Sequence, residues 1–409
     1  MMRRIQIVSL AGLLALLLPV AAGAFQEEGT LRIGGMWALS GPAAYIGSSS
    51  KGQASLAADE INEAGGVQVQ GKRVKLQLYT YDDACKAEEG LTVVRRLADS
   101  DKVLFSLGPT CSNVAEPVFG ILQKKLDDPG DTGLQFLFFT DTAIKFGLAK
   151  ISPWAFRNVG NEPAMFDLTF KLVRERHPDL KTVAVAYESD FAHSVSTWKA
   201  AAKPALEKYG YQVVEVVEWR FEDTEFGAQA AKLRKANADI LVLLTHTYST
   251  CGSAKEFKRQ RVKSKLMVGI TSAASTETMQ GCGAAVDGLT IPTNFAAITD
   301  KARAHAEKAW AKYKADSNLH SVPAYENVYA VKGLVEKVGI KNEAGTLLQD
   351  RRKVRDALAK LGTFPGLLGP IKMNGDDDAT KPRDVDKAIY IVQAKGGKWT
   401  VWYQPPDPK

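Results

Sequence analysis

The 409-residue chain contains none of the compact catalytic signatures: no G-x-x-x-x-G-K-[ST] phosphate loop, no G-x-G-x-x-G after a strand, no G-x-S-x-G elbow and no H-E-x-x-H pair. Enzyme readings therefore lose their usual anchors. Carboxylate pairs such as Asp82-Asp83 and the run 376–378 are common in loops, and acid–base work needs a facing geometry that spacing alone does not supply. Histidine is scarce, and His177, His193, His246, His305 and His320 are scattered without ligand spacing, so neither a metal nor a cofactor is expected. Lysine and arginine exceed the acidic residues by only seven and lie on solvated helix faces such as 171–176 and 255–265. Without aromatic interleaving, they argue against a nucleic-acid partner.

Long apolar runs are also nearly missing, and the one present explains itself. Arg3 and Arg4 precede an apolar segment over 5–18, and Ala22-Gly23-Ala24 offers small residues at the spacing a signal peptidase reads. A leader over 1–24, cleaved after Ala24, is expected, with an exported, periplasmic product. The segment is shorter than the ~20 residues that a membrane span requires. About 385 residues would remain, with a net charge of about +5, too many for one ordinary core and suited to two lobes.

Only four cysteines occur. In an oxidising compartment an even count suggests bridges, and four cysteines allow three pairings. Cys85 and Cys111 flank one strand–helix passage and Cys251 and Cys282 another, so these two bridges are expected.

What the chain does have is alternation. Strands are expected over 74–79, 103–107 and 134–139, with helices over 88–98 and 114–123 between them. A second series follows: helix 164–176, strand 182–187, helix 194–209, strand 212–217, helix 226–235, strand 240–244, helix 253–261 and strand 266–270. Such alternation predicts α/β architecture with parallel sheets covered by helices on both faces, in two successive lobes. Crossings between lobes are expected at 152–160, 289–295 and near Gly369. This places 25–155 with 294–370 in lobe 1, and 156–293 with 371–409 in lobe 2. Three crossing strands make a hinge that can twist while each lobe stays rigid.

Residues 31–66 read as a strand, a Ser-Gly-Pro turn, a polar loop and a helix stopped by Gly65 and Gly66. In an open α/β sheet that loop borders the ligand crevice, which puts Tyr45 near its edge. The stretch resembles the start of type I periplasmic binding proteins, specifically the branched-chain amino-acid (Leu/Ile/Val) binding family of ABC importers. Tyr81-Asp82-Asp83-Ala84-Cys85 and Gly108-Pro109-Thr110-Cys111-Ser112 repeat the resemblance. In that family the two cysteines are bridged and the serine after the second binds the ligand carboxylate. Ser112 would also stand at a helix start, where free N–H groups favour an anion.

The resemblance implies two doubly wound parallel-sheet lobes on a three-segment hinge. It also implies capture of an amino acid or related small carboxylate, and docking of the closed form to membrane permease subunits by a monomer. It carries Thr140 and Thr142 over as holders of the ligand's carboxylate and ammonium. Asp141 stands where a small residue is usual, and would either meet an ammonium or cap a turn. In the second lobe Phe191 replaces a tyrosine as an aromatic lid, and either His246 or Tyr248 takes the other aromatic position. At Thr271 the family typically has a glutamate that neutralises the ligand ammonium. Asp141, Glu188 and Asp190 are the replacements on offer. A sensor that docks to a receptor, a binder of aromatic acids or amides, and a hydrolase on the same fold are the alternatives.

Overall fold

The computed structural model describes residues 29–406, so the expected leader lies outside the described residues. Among the described residues no helix is long and apolar enough to cross a membrane.

The first lobe is built on a six-stranded sheet with spatial order Val67–Val69, Lys72–Asp82, Thr30–Trp37, Phe105–Leu107, Leu137–Thr140, Ala155–Arg157. All neighbours are parallel except the first pair, a short antiparallel hairpin. The second lobe's seven-stranded sheet runs Lys398–Tyr403, Tyr390–Lys395, Leu289–Thr293, Leu266–Gly269, Ile240–Leu244, Thr182–Glu188, Gln212–Trp219. Five of these strands are parallel, and the C-terminal hairpin closes one edge in antiparallel fashion. Leu-Phe-Phe-Thr at Leu137–Thr140 and Ile-Leu-Val-Leu-Leu at Ile240–Leu244 are buried at every residue, as strands covered on both faces must be. The edge strand Gln212–Trp219 instead alternates outward and inward over most of its length.

In both sheets the strand order reverses beside the lobe's first strand. In lobe 1 the switch lies between Thr30–Trp37 and Phe105–Leu107, and in lobe 2 between Thr182–Glu188 and Ile240–Leu244. Loops leaving the carboxyl ends of strands at such a point define a crevice. Two crevices therefore face the hinge region, one from each lobe.

Local chemistry accounts for the helix boundaries. Asn161 caps Glu162–Arg176 by accepting from the Ala164 N–H at 3.2 Å, and Thr299 caps Asp300–Tyr313 through the Ala302 N–H at 3.1 Å. Helix Ala44–Glu63 ends before Gly65 and Gly66, both at positive φ. At Gly66 a Cβ would stand 2.2 Å from the Val74 carbonyl oxygen, so only glycine admits the following hairpin. Two expected helices carry a π-helical turn, at Arg96–Ser100 and Thr197–Ala202, which periodicity does not reveal.

The third crossing differs from expectation. Gly369–Met373 does not leave lobe 1 but pairs antiparallel with Thr363–Gly366 and Val385–Asp386. Phe364, Ile371, Met373 and Val385 join the lobe 1 core. Buried Arg157 holds the end of this small sheet, its Nε and Nη2 donating to Asp384 Oδ1 and Oδ2 at 2.5 and 3.1 Å. The chain therefore crosses between Asp386 and Tyr390 rather than near 370. Bridges join Cys85 to Cys111 and Cys251 to Cys282, with Cα separations of 5.5 and 4.4 Å.

Candidate ligand-binding cleft

The lobe 1 wall is built from the loops after Thr30–Trp37, Phe105–Leu107 and Leu137–Thr140. At its centre Asp141 is fully buried. Its Oδ1 accepts the Gly108 N–H at 2.5 Å, and its Oδ2 accepts the Trp37 indole N–H at 3.1 Å and the Thr142 hydroxyl at 2.8 Å. Burial drives the carboxyl above its ordinary value against the pull of these three donors. Asp141 thus ties three crevice loops together. The sequence leaves it to meet an ammonium or to cap a turn; in the structure both its oxygens accept from donors within lobe 1.

Thr142 is similarly committed. Its hydroxyl lies 2.8 Å from Asp141 Oδ2 and 3.0 Å from both Ser50 Oγ and the His320 carbonyl oxygen. Ser112 begins helix Ser112–Gly120, two residues earlier than expected, and its Oγ accepts the Lys145 N–H at 3.1 Å. Thr140 Oγ1, in contrast, is buried with no partner. The Tyr45 hydroxyl is also buried without a hydrogen bond of good geometry, and burial, then the charge of Asp316, raises its pKa.

The lobe 2 wall follows Thr182–Glu188, Ile240–Leu244 and Leu266–Gly269. Phe191 is buried, its ring centroid 4.3 Å from Phe221 and 4.4 Å from His246, and both phenylalanines join the apolar cluster of lobe 1. The lobes therefore meet across the cleft. Tyr248 does not reach inward: helix Thr247–Arg259 starts earlier than periodicity suggested, and Tyr248 in its first turn is 46% exposed on the rim, 6.2 Å from Phe221. His246 is the inner residue of the pair.

Behind this aromatic layer runs a buried chain of four side chains. Glu162 Oε1 lies 2.9 Å from His193 Nε2, His193 Nδ1 lies 3.0 Å from His246 Nε2, and His246 Nδ1 lies 2.5 Å from Glu188 Oε2. Thr271 and Thr197 donate to Glu162 at 2.7 and 2.6 Å, while Ser249 and the His246 N–H donate to Glu188 at 2.7 and 2.9 Å. Burial alone would raise the Glu162 carboxyl, but His193, Thr197 and Thr271 together hold it below its ordinary value. The position where a glutamate is absent in sequence, Thr271, is thus in direct contact with a carboxylate from elsewhere in the chain. Asp190, the other replacement, accepts from Arg220 Nε and the Phe221 N–H at the exposed rim.

Sequence reasoning missed Glu162, His193, Phe221 and His320. Glu162 reads as the acidic first-turn residue of a capped helix, and nothing local marks His193 or His320. Across the cleft, Asp316 of lobe 1 accepts the Thr276 N–H and hydroxyl of lobe 2, both at 2.8 Å. Among the described residues no group of three or more His, Cys, Asp or Glu side chains has metal-holding geometry.

Two doubly wound lobes, a triple crossing and buried polar walls in contact define a hinged small-molecule binding protein. The family model for periplasmic binding proteins matches residues 30–398, and the chain belongs to that family. The Leucine-, isoleucine-, valine-, threonine-, and alanine-binding protein of Pseudomonas aeruginosa is 25% identical over 88% of this chain and 89% of its own length. The fold is similar to that of a Streptococcus pneumoniae branched-chain amino acid transporter substrate binding protein in complex with isoleucine. It has a TM-score of 0.76 at 22% identity, covering 92% of this chain and all of that one. It is also similar to a solute binding protein from R. palustris in complex with benzoate, with a TM-score of 0.75 at 18% identity, covering 92% and 96%.

Proposed function

We propose that this protein is the solute-binding subunit of an ABC importer, exported to the periplasm, where it captures an amino acid of branched-chain type or a related small carboxylate without chemical turnover. The observation that carries this reading is the set of buried polar atoms left without partners: Thr140 Oγ1 and His320 Nε2 on lobe 1, and Ser272 Oγ on lobe 2. Most buried polar groups in folded proteins have partners, and these atoms stand on loops that line the cleft from both lobes, which supports a polar ligand. Ser112 and Thr140 would hold the carboxylate and Phe191 and Phe221 would cover the side chain, with Thr271 backing the lobe 2 wall and Tyr248 on the rim. Thr142 and Asp141 would shape the crevice rather than touch the ligand. Closure would bury the ligand and create the surface that permease subunits recognise.

A second reading, an aromatic acid as ligand, is favoured by the Phe191–Phe221–His246 stack. Ligand-stripped protein should be screened by thermal shift against amino acids, aromatic acids and short amides. A ligand present at about a hundred times its Kd stabilises by about 2.7 kcal/mol, a shift of a few degrees. The correct ligand should lose affinity in Ser112→Ala. If no small carboxylate of any class raises Tm, the reading fails.

A further inference from the structure

In a parallel sheet crossed by helices, each connecting helix ends beside the amino edge of the next strand, at the end of the lobe opposite the crevice. On lobe 2 the segments leading into Ile240–Leu244 and Leu266–Gly269 are residues 232–239 and 255–265. They hold nine Lys or Arg against two acids, Asp239 and Glu256. On lobe 1, segments of the same lengths lead into Phe105–Leu107 and Leu137–Thr140, and residues 97–104 and 126–136 hold Lys102 against five aspartates. The excess of positive charge therefore belongs to one end of one lobe, not to the fold.

Both acids of the lobe 2 segments are already occupied. Asp239 Oδ2 accepts the Lys181 and Thr182 N–H groups at 3.0 Å, and its Oδ1 lies 3.2 Å from Lys265 Nζ. Glu256 pairs with Arg259 at 2.7 Å. Among the described residues the other seven cations have no carboxylate within ion-pair distance, and all seven are exposed. One or two cations complement the dipole at a helix C-terminus, and Arg234, Lys235, Lys258 and Arg259 stand in such last turns. Arg261 and Lys263 lie beyond the helix end and have no such role.

Between the two segments lies a groove of about 630 Å³, walled by Phe257, Val262 and Met267 together with Lys258, Lys263 and Lys265. Lysine stems lie along apolar surface while their ammonium groups stay in water. An apolar floor inside a cationic rim is complementary to the boundary of a bilayer, where anionic headgroups meet acyl chains. Phe257 is the one aromatic residue of the two segments and is buried, so no exposed ring is there for bases to stack on.

We propose that the end of lobe 2 remote from the cleft docks on anionic phospholipid at a membrane surface. The crevice loops of lobe 2, at the opposite edge of its sheet, stay free in that arrangement. Docking concentrates the binding protein at the surface where permease subunits would sit, whatever solute the cleft takes.

The test is flotation of the exported chain, residues 25–409, with lipid vesicles, the expected leader being omitted so that its apolar segment cannot insert. At about 0.1 M salt, vesicles of equal parts phosphatidylglycerol and phosphatidylcholine should bind it at least about tenfold more strongly than phosphatidylcholine alone. Raising salt to about 1 M, which cuts the Debye length from about 10 to about 3 Å, should release it. Lys258→Glu with Lys263→Glu should lower the partition coefficient at least about tenfold. Lys72→Glu with Lys75→Glu, an equal change of charge at exposed residues of lobe 1, should leave it within about twofold. Equal losses for the two pairs would make the attraction a matter of net charge and overturn the docking face. Equal binding to both vesicle types, or binding to neither, would overturn it as well. Capture by poly-glutamate or single-stranded DNA without binding to anionic vesicles would assign the face to another polyanion and overturn the lipid assignment.

Discussion

The two walls of the cleft are built on different principles. On lobe 1 the polar groups are mostly turned into scaffold: Asp141 joins Trp37, Gly108 and Thr142, and Thr142 joins Ser50 and the His320 carbonyl. Only a few atoms, among them Thr140 Oγ1 and His320 Nε2, stay available. On lobe 2 the polar groups form one proton-sharing chain behind aromatic rings. A wall locked by local donors resists deformation, whereas a chain of linked hydrogen bonds polarises along its length. The first holds a shape and the second links two carboxylates through two histidines.

The strongest way to break this comparison is at Asp141. Asp141→Ala leaves three buried donors without an acceptor and should cost about 3–5 kcal/mol of unfolding free energy, read by urea denaturation. Glu162→Gln preserves shape and most hydrogen bonds and should cost about 1 kcal/mol. Should Asp141→Ala fold as stably as wild type but fail to bind ligand, lobe 1 would be the ligand-contacting wall in the way first expected from sequence.

The same contrast explains what could be read from the sequence. Lobe 1 was legible because its partners announce themselves locally: the Ser-Gly-Pro turn, Asp82-Asp83, Cys111-Ser112 and the Thr140–Thr142 corner each lie beside a recognisable strand end. The alternation of elements, both bridges and the α/β class were readable for the same reason. Lobe 2 was not. Glu162 reaches Thr271 across 109 residues and His193 across 31, and no periodicity encodes such contacts. The choice between His246 and Tyr248 stays open in the sequence because the helix that follows His246 begins six residues earlier than its periodicity shows. The third crossing was placed too early because Gly369–Met373 resembles a linker until its partner strands are known.

Acid should next sharpen the comparison at the buried histidines of lobe 1. On lobe 1, burial lowers His305 to about 4 and His320 to about 3. Folded-state values below the ordinary histidine value mean that, as pH falls below about 6.5, the unfolded chain takes up protons that the folded one refuses. The stability they contribute is present above that pH and is lost as pH falls toward the folded values, at about 1 kcal/mol per pH unit for each. Glu162 on lobe 2 also has a lowered value, but its contribution is lost only below about 4.5. Asp83 and Asp141 on the same lobe are raised by burial and oppose this loss as pH falls, so the histidine contribution is isolated by substitution rather than read from the lobe as a whole. His305→Gln, which keeps a polar partner for Gln53, should flatten the slope of unfolding free energy between about pH 6.5 and 5. A slope unchanged by that substitution would refute the assignment.

An effect well below that at Asp141 should come from the point where the lobes hold each other. Asp316 also accepts from Asn318 within lobe 1, so it is already positioned before Thr276 arrives from lobe 2. These two bonds join the lobes, so they contribute to how the lobes are held together rather than to either lobe's folding. Asp316→Ala should therefore weaken ligand binding about tenfold, equivalent to about 1.4 kcal/mol, while each lobe keeps its own core. Calorimetry would measure the affinity, and small-angle scattering of the unliganded variant should give a larger radius of gyration than wild type. Reduced affinity without any change in the unliganded shape would place Asp316 in the ligand's own contact surface instead. The hinge, rather than either wall, would then set the balance between open and closed forms.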